Sequence, residues 1–194
     1  MTDHQLLGIH HVMVMTNSAE HNYRFFTEAL SMRLVKKTVN QDDIQTYHTF
    51  FADDKGSAGT DITSFDSLGN PKAMHGTNAI TRASFRVPDD ATLKYYQERF
   101  DAFGVKCEGI IDWFGAKALL FEEEDGQRYQ LGRILIEIST DGPGFETDEP
   151  YETLGERLSL PPFLEPERDL IERMIRPFNT QHHLRPSNTQ RHHS

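Results

Sequence analysis

Cysteine is almost absent from this chain of 194 residues, since Cys107 is the only one. A single cysteine excludes an intramolecular disulfide and is typical of proteins that work in a reducing compartment such as the cytoplasm. Long hydrophobic runs are also lacking, because none approaches the ~20 apolar residues of a membrane-spanning helix. The first residues, MTDHQLLG, do not combine the charged segment and apolar core of a signal peptide. We therefore expect a cytoplasmic protein without a membrane segment.

Basic residues are outnumbered, with 20 Lys and Arg against 30 Asp and Glu and a formal net charge of −10. Nucleic-acid surfaces need clustered Lys and Arg, so this charge argues against a nucleic-acid partner and against docking on an anionic membrane. Hydrophobic residues make up 37% of the chain. That share is low for a compact domain, so part of the chain is expected to be a solvated extension.

One pattern of secondary-structure signals occurs twice. A strand-like run at 9–15 precedes an amphipathic helix and three strand-like runs at 33–39, 46–52 and 60–65. The pattern returns with a strand at 79–87, a helix between Asp89 and Gly104, and strands at 106–111, 117–122 and 133–139. A repeat of about 70 residues indicates two copies of one unit, neither of which can bury its sheet face alone. The predicted fold is α+β, with two βαβββ modules forming one curved mixed-sheet cup.

The cup is assigned to a domain at 1–145, with modules at about 7–68 and 78–145. Residues 146–178 are acidic and are predicted to form a tail with a short amphipathic helix at 166–175. Residues 179–194 are polar and are predicted to be disordered.

Two adjacent histidines lie in the first predicted strand, in the stretch LGIHHVMV. Strand alternation places His11 opposite Val12 and Val14, which are expected to pack under a helix. In the last predicted strand, the same alternation places Glu137 opposite three isoleucines, so His11 and Glu137 both face the cup. One imidazole and one carboxylate are two thirds of the ligand set that holds Fe(II) with open positions. The alternative is a hydrogen-bonded structural histidine and a Glu137 that forms an ion pair with a nearby arginine.

The other sequence signals for a site are weaker. His48 is interpreted as a strand residue with no metal role, and His75 as a loop residue. No nucleophile elbow, P-loop, dinucleotide fingerprint or CxxC motif is present in the sequence.

Several long segments resemble the ring-cleaving dioxygenases of the vicinal-oxygen-chelate superfamily. They read GIHHV, RLVKKTVNQDD, TYHTFFADDKGSAGTD, FRVPDD and GRILIEISTDGPGFETDEPYETLGERLSLPPFLEPER. The nearest branch is the hydroquinone-type dioxygenases, which includes quinone-resistance proteins of Gram-positive bacteria. The resemblance covers nearly the whole chain, to about Phe178. It implies the vicinal-oxygen-chelate fold and a substrate of the hydroquinone or catechol class, cleaved with O2.

The resemblance also implies a set of site residues. Members of this branch are built from four βαβββ modules and bind iron through two histidines and one glutamate. Carried over residue by residue, His11 is the first metal ligand and Glu137 is the carboxylate ligand. His10 matches a residue beside the iron and is the candidate catalytic residue. The implied cofactor is Fe(II), with Mn(II) as the alternative.

The chain departs from the pattern of this branch. It follows modules one and two to about Leu131 and the end of module four from Gly132, as if internally shortened. The second histidine ligand would lie on a strand reading like HHVSFRV, but here that strand reads TRASFRV, with Arg82 at the ligand position. Asp61, which aligns with Glu137 in the repeat, is a candidate third ligand. The expected activity is therefore weakened.

Three other interpretations remain open at this point. One is a catalytically silent module that binds aromatic or quinone-like ligands, and another is a glyoxalase-like metalloenzyme. The third is a deletion product without a selected function. A homodimer is expected in any case, because a cup that has lost partner modules exposes apolar edges.

Overall fold

The computed structural model describes residues 9–75, 80, 82–113, 116–132, 149–160, 162–178 and 180. The first module begins with a strand, a helix whose last turns are π-helical, and three further strands. They are β1 (His11–Thr16), α1 (Ala19–Arg24) with its π-helical continuation (Phe25–Ala29), β2 (Arg33–Val39), β3 (Tyr47–Ala52) and β4 (Asp61–Asp66). The strand order is β1-β4-β3-β2, and β1 pairs with β4 in parallel.

The second module repeats this arrangement. Its elements are β5 (Ala83–Arg86), α2 (Asp90–Phe103), β6 (Lys106–Trp113), β7 (Ala116–Glu122) and β8 (Arg128–Gly132). The strand order is β5-β8-β7-β6, again with a parallel pair at one end. The prediction of two βαβββ modules is confirmed.

Local sequence signals explain where the two main helices begin and end. The Ser18 side chain caps α1 and accepts from the backbone N–H of His21 at 3.3 Å. Asp89 caps α2 by accepting from the backbone N–H of Thr92 at 2.8 Å, and Gly104, at φ +67°, ends this helix as predicted. Among the described residues, no helix is both long enough and apolar enough to cross a membrane.

One hydrophobic core joins the two modules. The ring of Phe26 stacks on Phe51 of β3 at a centroid distance of 4.8 Å and meets Tyr129 of β8 at 5.9 Å. Phe25, beside it, contacts Tyr129 and Phe121 of the second module. Val14 of β1 belongs to the same buried cluster. The helix-facing side of β1 is therefore the one that strand alternation predicted, and His11 lies on the other side.

Side chains of α2 also donate hydrogen bonds to backbone carbonyl groups at the C-terminal end of the first helix. Arg99 donates from Nε to the carbonyl oxygen of Ala29 at 3.0 Å, and its guanidinium also donates to the carbonyl of Glu28. The hydroxyl of Tyr96 donates to the carbonyl of Leu30 at 3.0 Å. Because the last carbonyls of a helix have no partner within the helix, these bonds tie the second module to the first.

The second sheet contains a strand that was not predicted. β8, at Arg128–Gly132, lies between β5 and β7, and the strand predicted at 133–139 lies outside the described residues. The turn before it is tight: Gly126 has φ +86°, and the backbone N–H of Glu123 donates to the carbonyl of Gln127. The chain therefore returns to the sheet at Arg128. The sequence RYQLG has no β-branched residue, so its strand signal is weaker than that of ILIEI. Residues 133–148 lie outside the described part of the chain.

The segment predicted to be an acidic tail packs against the first module. It contains two short 3₁₀ turns and a helix, at Tyr151–Thr153, Glu165–Glu167 and α3 (Arg168–Met174). Its buried apolar residues join Val39 and Tyr47 in a second hydrophobic cluster, and they include Leu160, Leu164, Ile171 and Ile175.

Polar contacts hold the end of this segment. The ammonium group of Lys37 is buried and donates to the carbonyl of Phe178 and to the hydroxyl of Thr180, both at 3.1 Å. Thr180 falls in the range predicted to be disordered, yet only 2% of its surface is exposed. The other residues of 179–194 lie outside the described residues.

Candidate functional site

The first two residues of neighbouring parallel strands form the centre of the candidate site. His11 opens β1 and Asp61 opens β4, and the two are paired in the register of the sheet. Neighbouring strands lie roughly 4.8 Å apart, so their side chains leave the same face of the sheet side by side. The Oδ1 atom of Asp61 is buried and has no hydrogen-bond partner. A buried carboxylate oxygen of this kind is costly unless a cation or a donor satisfies it.

His10 contacts His11 directly. Their Nδ1 atoms are 2.8 Å apart, so one ring donates and the other accepts. If His11 carries its proton on Nδ1 and donates it to His10, the lone pair of His11 is on Nε2. That tautomer is the one a metal ligand needs, and fixing it is the usual task of a residue beside a ligating histidine. The structure therefore places the two imidazoles in hydrogen-bonding contact, and their predicted roles stay predictions.

Burial changes the pKa of both partners on these strands. Burial, followed by repulsion from Asp53, raises the pKa of Asp61 to about 7. Burial, followed by the charge of His10, lowers the pKa of His11. Near neutral pH the imidazole is uncharged and the carboxyl is partly protonated. A divalent cation between them would supply the positive charge that the carboxylate lacks.

The side chains of His11 and Asp61 provide part of the ligand set that a metal ion needs. A neutral imidazole nitrogen and a carboxylate oxygen are suitable ligands for Fe(II) or Mn(II). Across the described ranges, no three His, Cys, Asp or Glu side chains are grouped so that they could hold a metal. Glu137, the predicted second ligand, lies outside the described residues. A third protein ligand would therefore have to come from outside those ranges.

His48 is a residue whose environment sequence reasoning missed. It lies on β3, with its ring 4.3 Å from Phe50 and 4.2 Å from Phe65 between centroids. Burial lowers its pKa to about 4, with smaller effects from His11 and Lys36. Its Nε2 atom is buried without a hydrogen-bond partner. The imidazole is thus neutral at physiological pH.

Two threonines on the same face as His48 also have a buried polar atom without a hydrogen-bond partner. The hydroxyl oxygens of Thr38 and Thr63 are also buried without partners, and Thr38 is paired with His48 in the register. With Asp61, four polar side chains on one face of the first sheet have a buried atom without a partner. The alternation of TYHTFF in the sequence could have placed His48 and Phe50 on one face. Only the strand register relates that face to His11.

His11 and Asp61 line a cavity of about 640 Å³ between the two modules. Its other walls come from the end of the first helix, from β5 and from α2. They include Leu30, Met32, Arg82, Phe85, Arg86 and Tyr96. Arg82, which stands where the resemblance implies a second histidine ligand, is half-buried and lines the same cavity. Polar and charged residues make up about half of its lining. A volume of this size is typical of small-molecule sites.

Known proteins resemble this chain in both sequence and fold. MhqA of Bacillus subtilis, assigned by name to the ring-cleaving dioxygenases, is 36% identical over 138 residues, which are 71% of this chain and 42% of MhqA. The chlorohydroquinone/hydroquinone 1,2-dioxygenase of Sphingobium indicum is 33% identical over 146 residues, 74% of this chain and 44% of that protein. This chain thus spans about two fifths of the length of these relatives.

Solved structures support the fold. A crystal structure of a Bacillus subtilis protein assigned to the dioxygenases superimposes with a TM-score of 0.78 at 20% identity, over 89% of this chain and 97% of that one. A mutant of the fosfomycin resistance protein FosX from Listeria monocytogenes, bound to Mn(II), gives 0.53 at 16% identity, over 68% of this chain and 96% of that one. A family model matches residues 8–131, which is more than half of the chain. The chain therefore belongs to the Glyoxalase/Bleomycin resistance protein/Dioxygenase superfamily.

Proposed function

We propose that the protein is a ring-cleaving dioxygenase-like enzyme that acts on hydroquinone- or catechol-type aromatics with Fe(II) and O2. The observation that carries the proposal is the register pair of His11 and Asp61 at the wall of a cavity of about 640 Å³ that also contains aromatic side chains. The names of the relatives, which include a hydroquinone dioxygenase, support the reaction class.

His11 and Asp61 would hold the metal in this proposal, together with the predicted ligand Glu137. Fe(II), or Mn(II) as the alternative, would supply adjacent open positions for a ring hydroxyl and O2 and would carry electrons between them. In this proposal His10 would accept the Nδ1 proton of His11 across the 2.8 Å contact between their Nδ1 atoms, which would leave the Nε2 lone pair of His11 for the metal.

The walls of the cavity would orient the aromatic ring and limit its contact with water. Phe85 and Tyr96 line it with aromatic surface, and the hydroxyl of Tyr96 is already bonded to the carbonyl of Leu30. Tyr96 is thereby held in place, which keeps that wall fixed when a ring packs against it. The substrate hydroxyl is left to the polar end of the cavity, where His11 and Asp61 lie.

Arg82 is the reason to propose weakened activity. A guanidinium at the position of a metal ligand removes one donor and adds a positive charge to the cavity. This same feature favours a second candidate function, a catalytically silent module that binds aromatic or quinone-like ligands. Asp61 in turn favours a glyoxalase-like metalloenzyme, since sites of that class use more carboxylate ligands.

A homodimer is part of the proposal. Met13 and Met15 follow His11 along the same face of β1 and are 49% and 45% exposed. A second copy would cover this apolar surface. Light scattering on the purified chain tests the oligomeric state, and a monomer at all concentrations would contradict it.

Metal content and oxygen consumption test the function together. The purified chain is loaded with Fe(II) without oxygen, and O2 uptake is then followed with hydroquinone or catechol. We expect stoichiometric iron and measurable uptake, and we expect His11→Ala to lose both by more than tenfold. His21→Ala is the matched control, because His21 is exposed and lies outside the cavity.

Each outcome separates the candidate functions. Unchanged iron content and O2 uptake in His11→Ala would contradict the proposed site. Ring binding without uptake would favour the silent module. Metal-dependent conversion of a thiol adduct of an α-ketoaldehyde, without O2 uptake, would favour the glyoxalase-like alternative.

A further inference from the structure

The first helix ends at the cavity in a backbone conformation that serine seldom adopts. Ser31 follows Leu30, the residue that caps the helix, and has φ +58°, in the left-handed region that favours glycine. Among the described residues, it is the only one other than glycine with a positive φ. Strained residues of this kind persist where the surrounding structure fixes them, and they cluster at active sites and ligand-binding segments. The strain therefore indicates a role that glycine cannot fill.

The matched position in the second module is a glycine. Gly104 ends α2 with φ +67°, and the backbone N–H of Val105 donates to the carbonyl of Phe100 at 2.9 Å. In the first module, the corresponding bond runs from the N–H of Met32 to the carbonyl of Phe26, also at 2.9 Å. It spans one more residue because the last turns of that helix are π-helical. The same helix end is thus closed without strain in one copy and with strain in the other.

Packing does not explain the serine, because its side chain is exposed. Across the described ranges, no protein group forms a hydrogen bond with its hydroxyl. Ser31 lines the cavity that also contains His11 and Asp61. The backbone before it is held from the second module, since the hydroxyl of Tyr96 donates to the carbonyl of Leu30 at 3.0 Å. The Ser31 hydroxyl therefore lies at the cavity on a fixed backbone.

The charges of the cavity lining favour a neutral ligand at this wall. Two arginines, Arg82 and Arg86, are balanced in the same lining by two aspartates, Asp53 and Asp61. A serine hydroxyl carries no charge and can both donate and accept a hydrogen bond. A ring hydroxyl has the same two capabilities, so the two groups are complementary in either direction.

We propose that Ser31 is a substrate-binding residue, whose hydroxyl binds the ring hydroxyl of a dihydroxy aromatic that is not directed to His11 and Asp61. The inference rests on the proposed function, because it takes this cavity to be the substrate site. Glycine at this position would relieve the strain but would lose the hydrogen bond. Stability and ligand binding therefore depend on Ser31 in opposite directions.

Thermal unfolding of the metal-free full chain, with and without hydroquinone, measures both effects. A ligand that binds only the folded state raises the melting temperature by an amount that depends on its affinity. Without ligand, we expect Ser31→Gly to melt about 2 °C higher than the wild type, because the left-handed strain is relieved. Ser31→Ala keeps the strain and should melt close to the wild type.

Ligand binding should change in the opposite direction. Ser31→Gly and Ser31→Ala should both bind hydroquinone about three- to tenfold more weakly than the wild type, as expected for the loss of one neutral hydrogen bond. The control ligand is p-xylene, which has methyl groups in place of both hydroxyls. Its effect on the melting temperature should be the same in all three proteins, because it cannot bond to Ser31.

Gly104→Ser is the matched control in the second module. It places a serine at a left-handed helix end that lies outside this cavity, where a Cβ would meet nothing within 4 Å. This variant should melt at a lower temperature than the wild type and respond to hydroquinone as the wild type does. Hydroquinone that does not stabilise the wild type, or that binds the two Ser31 variants as tightly, overturns the inference. A loss of p-xylene binding equal to the loss of hydroquinone binding does so too.

The outcome is separate from catalysis. Hydroquinone binding that depends on Ser31, with no O2 uptake when iron is supplied, supports the inference and contradicts the dioxygenase function. O2 uptake with hydroquinone, combined with unchanged hydroquinone affinity in Ser31→Ala, supports the function and contradicts the inference.

Discussion

The two modules share their topology but differ in chemistry where their parallel strands begin. In the first module, His11 of β1 is paired with Asp61 of β4. In the second, Ala83 is paired with Tyr129, so Arg82 comes one position before this pair, next to Arg128. Arg128 forms a salt bridge with Glu122 at 3.4 Å. One copy of the unit therefore holds an imidazole and a carboxyl group, and the other holds two guanidinium groups.

The repeat therefore preserves the fold of the module but not the residues at the cavity. Sheet pairing depends on backbone hydrogen bonds and on the apolar face, and both are similar in the two copies. The residues that open the strands on the cavity side are free to diverge, because they do not hold the core together. A cup built from two such units can thus carry an imidazole and a carboxyl group on one half and positively charged guanidinium groups on the other.

The largest expected effect comes from the segment that only the first module carries. Gly155 has φ +80°, and a Cβ at this position would lie 2.2 Å from the carbonyl oxygen of Leu34 on β2. We expect Gly155→Ala to destabilise the protein by about 3 kcal/mol or more, since it combines a steric clash with left-handed strain. Urea denaturation followed by circular dichroism measures the loss.

The second module provides the matched control. Gly104 also has a positive φ, of +67°, but a Cβ there would meet nothing within 4 Å. Gly104→Ala should therefore cost only about 1 kcal/mol, the strain alone. Equal losses for the two variants would show that the 149–180 segment does not stabilise the first module as the contacts indicate.

The next effect tests the link between the modules. Asp125, in the turn between β7 and β8, accepts from the Thr16 hydroxyl at 2.7 Å and from the Asn17 backbone and side chain at 2.9 and 3.0 Å. Asp125→Asn replaces one acceptor with a donor that faces these donors, and should cost about 2 kcal/mol. Thermal unfolding measures it, and Glu124→Gln should shift stability by less than about 0.5 kcal/mol because its pair with His21 is exposed.

The pH dependence of this link follows from its hydrogen bonds. Burial favours the protonated carboxyl of Asp125, but the bonds from Asn17 and Thr16 outweigh it and lower the pKa. The stabilisation is therefore present above the ordinary carboxyl range and is lost as the pH falls through it. Asp125→Asn should lose this acid-sensitive part of the stability. An unchanged acid transition would argue against the hydrogen bonds of Asp125 as a link between the modules.

A third change converts one module toward the other. Arg82→His places an imidazole at the position where the family resemblance implies a ligand, and removes a positive charge from the cavity. We expect Mn(II) affinity to rise at least about tenfold. Arg82→Gln removes the charge without adding a donor, so it should give a smaller gain. Equal gains for the two variants would mean that charge alone limits metal binding.

Much of the scaffold could be predicted because its signals are local. The strand at 33–39 matches β2, and Asp89 and Gly104 bound α2 as expected. These features depend on alternation, capping and glycine conformation, which act within a few residues. β8 was missed because RYQLG is short and lacks β-branched residues.

The site was only half accessible to the same reasoning. His10 and His11 stand out as a pair, and the resemblance gives them roles. The pairing of His11 with Asp61 depends on a parallel register between strands that are distant in sequence, so only the repeat hinted at it. His48 looked like an ordinary strand residue, because burial of its Nε2 atom depends on neighbours on other strands. The docking of 149–180 was hidden by its acidic composition.

The smallest expected effect concerns Asp61, the carboxyl group that the second module lacks. Its folded-state pKa, raised by burial and by Asp53 to about 7, lies above that of an unfolded aspartate, ~3.9. Its contribution to stability is therefore complete below about pH 4 and is lost as the pH rises toward 7. Without metal, Asp61→Asn should show a flatter stability profile between these values and should be more stable than the wild type at pH ~8.

If His11 and Asp61 bind the metal, adding it should reverse which of the wild type and Asp61→Asn is the more stable. Mn(II) added at that pH should raise the melting temperature of the wild type and leave Asp61→Asn nearly unchanged, since binding to the folded state alone is stabilising. Asp112→Asn, at an exposed position on β6, is the control and should behave like the wild type in both series. If Asp61→Asn keeps the wild-type dependence of stability on pH and the wild-type response to Mn(II), then Asp61 does not belong to the site, and His11 has no carboxylate partner there.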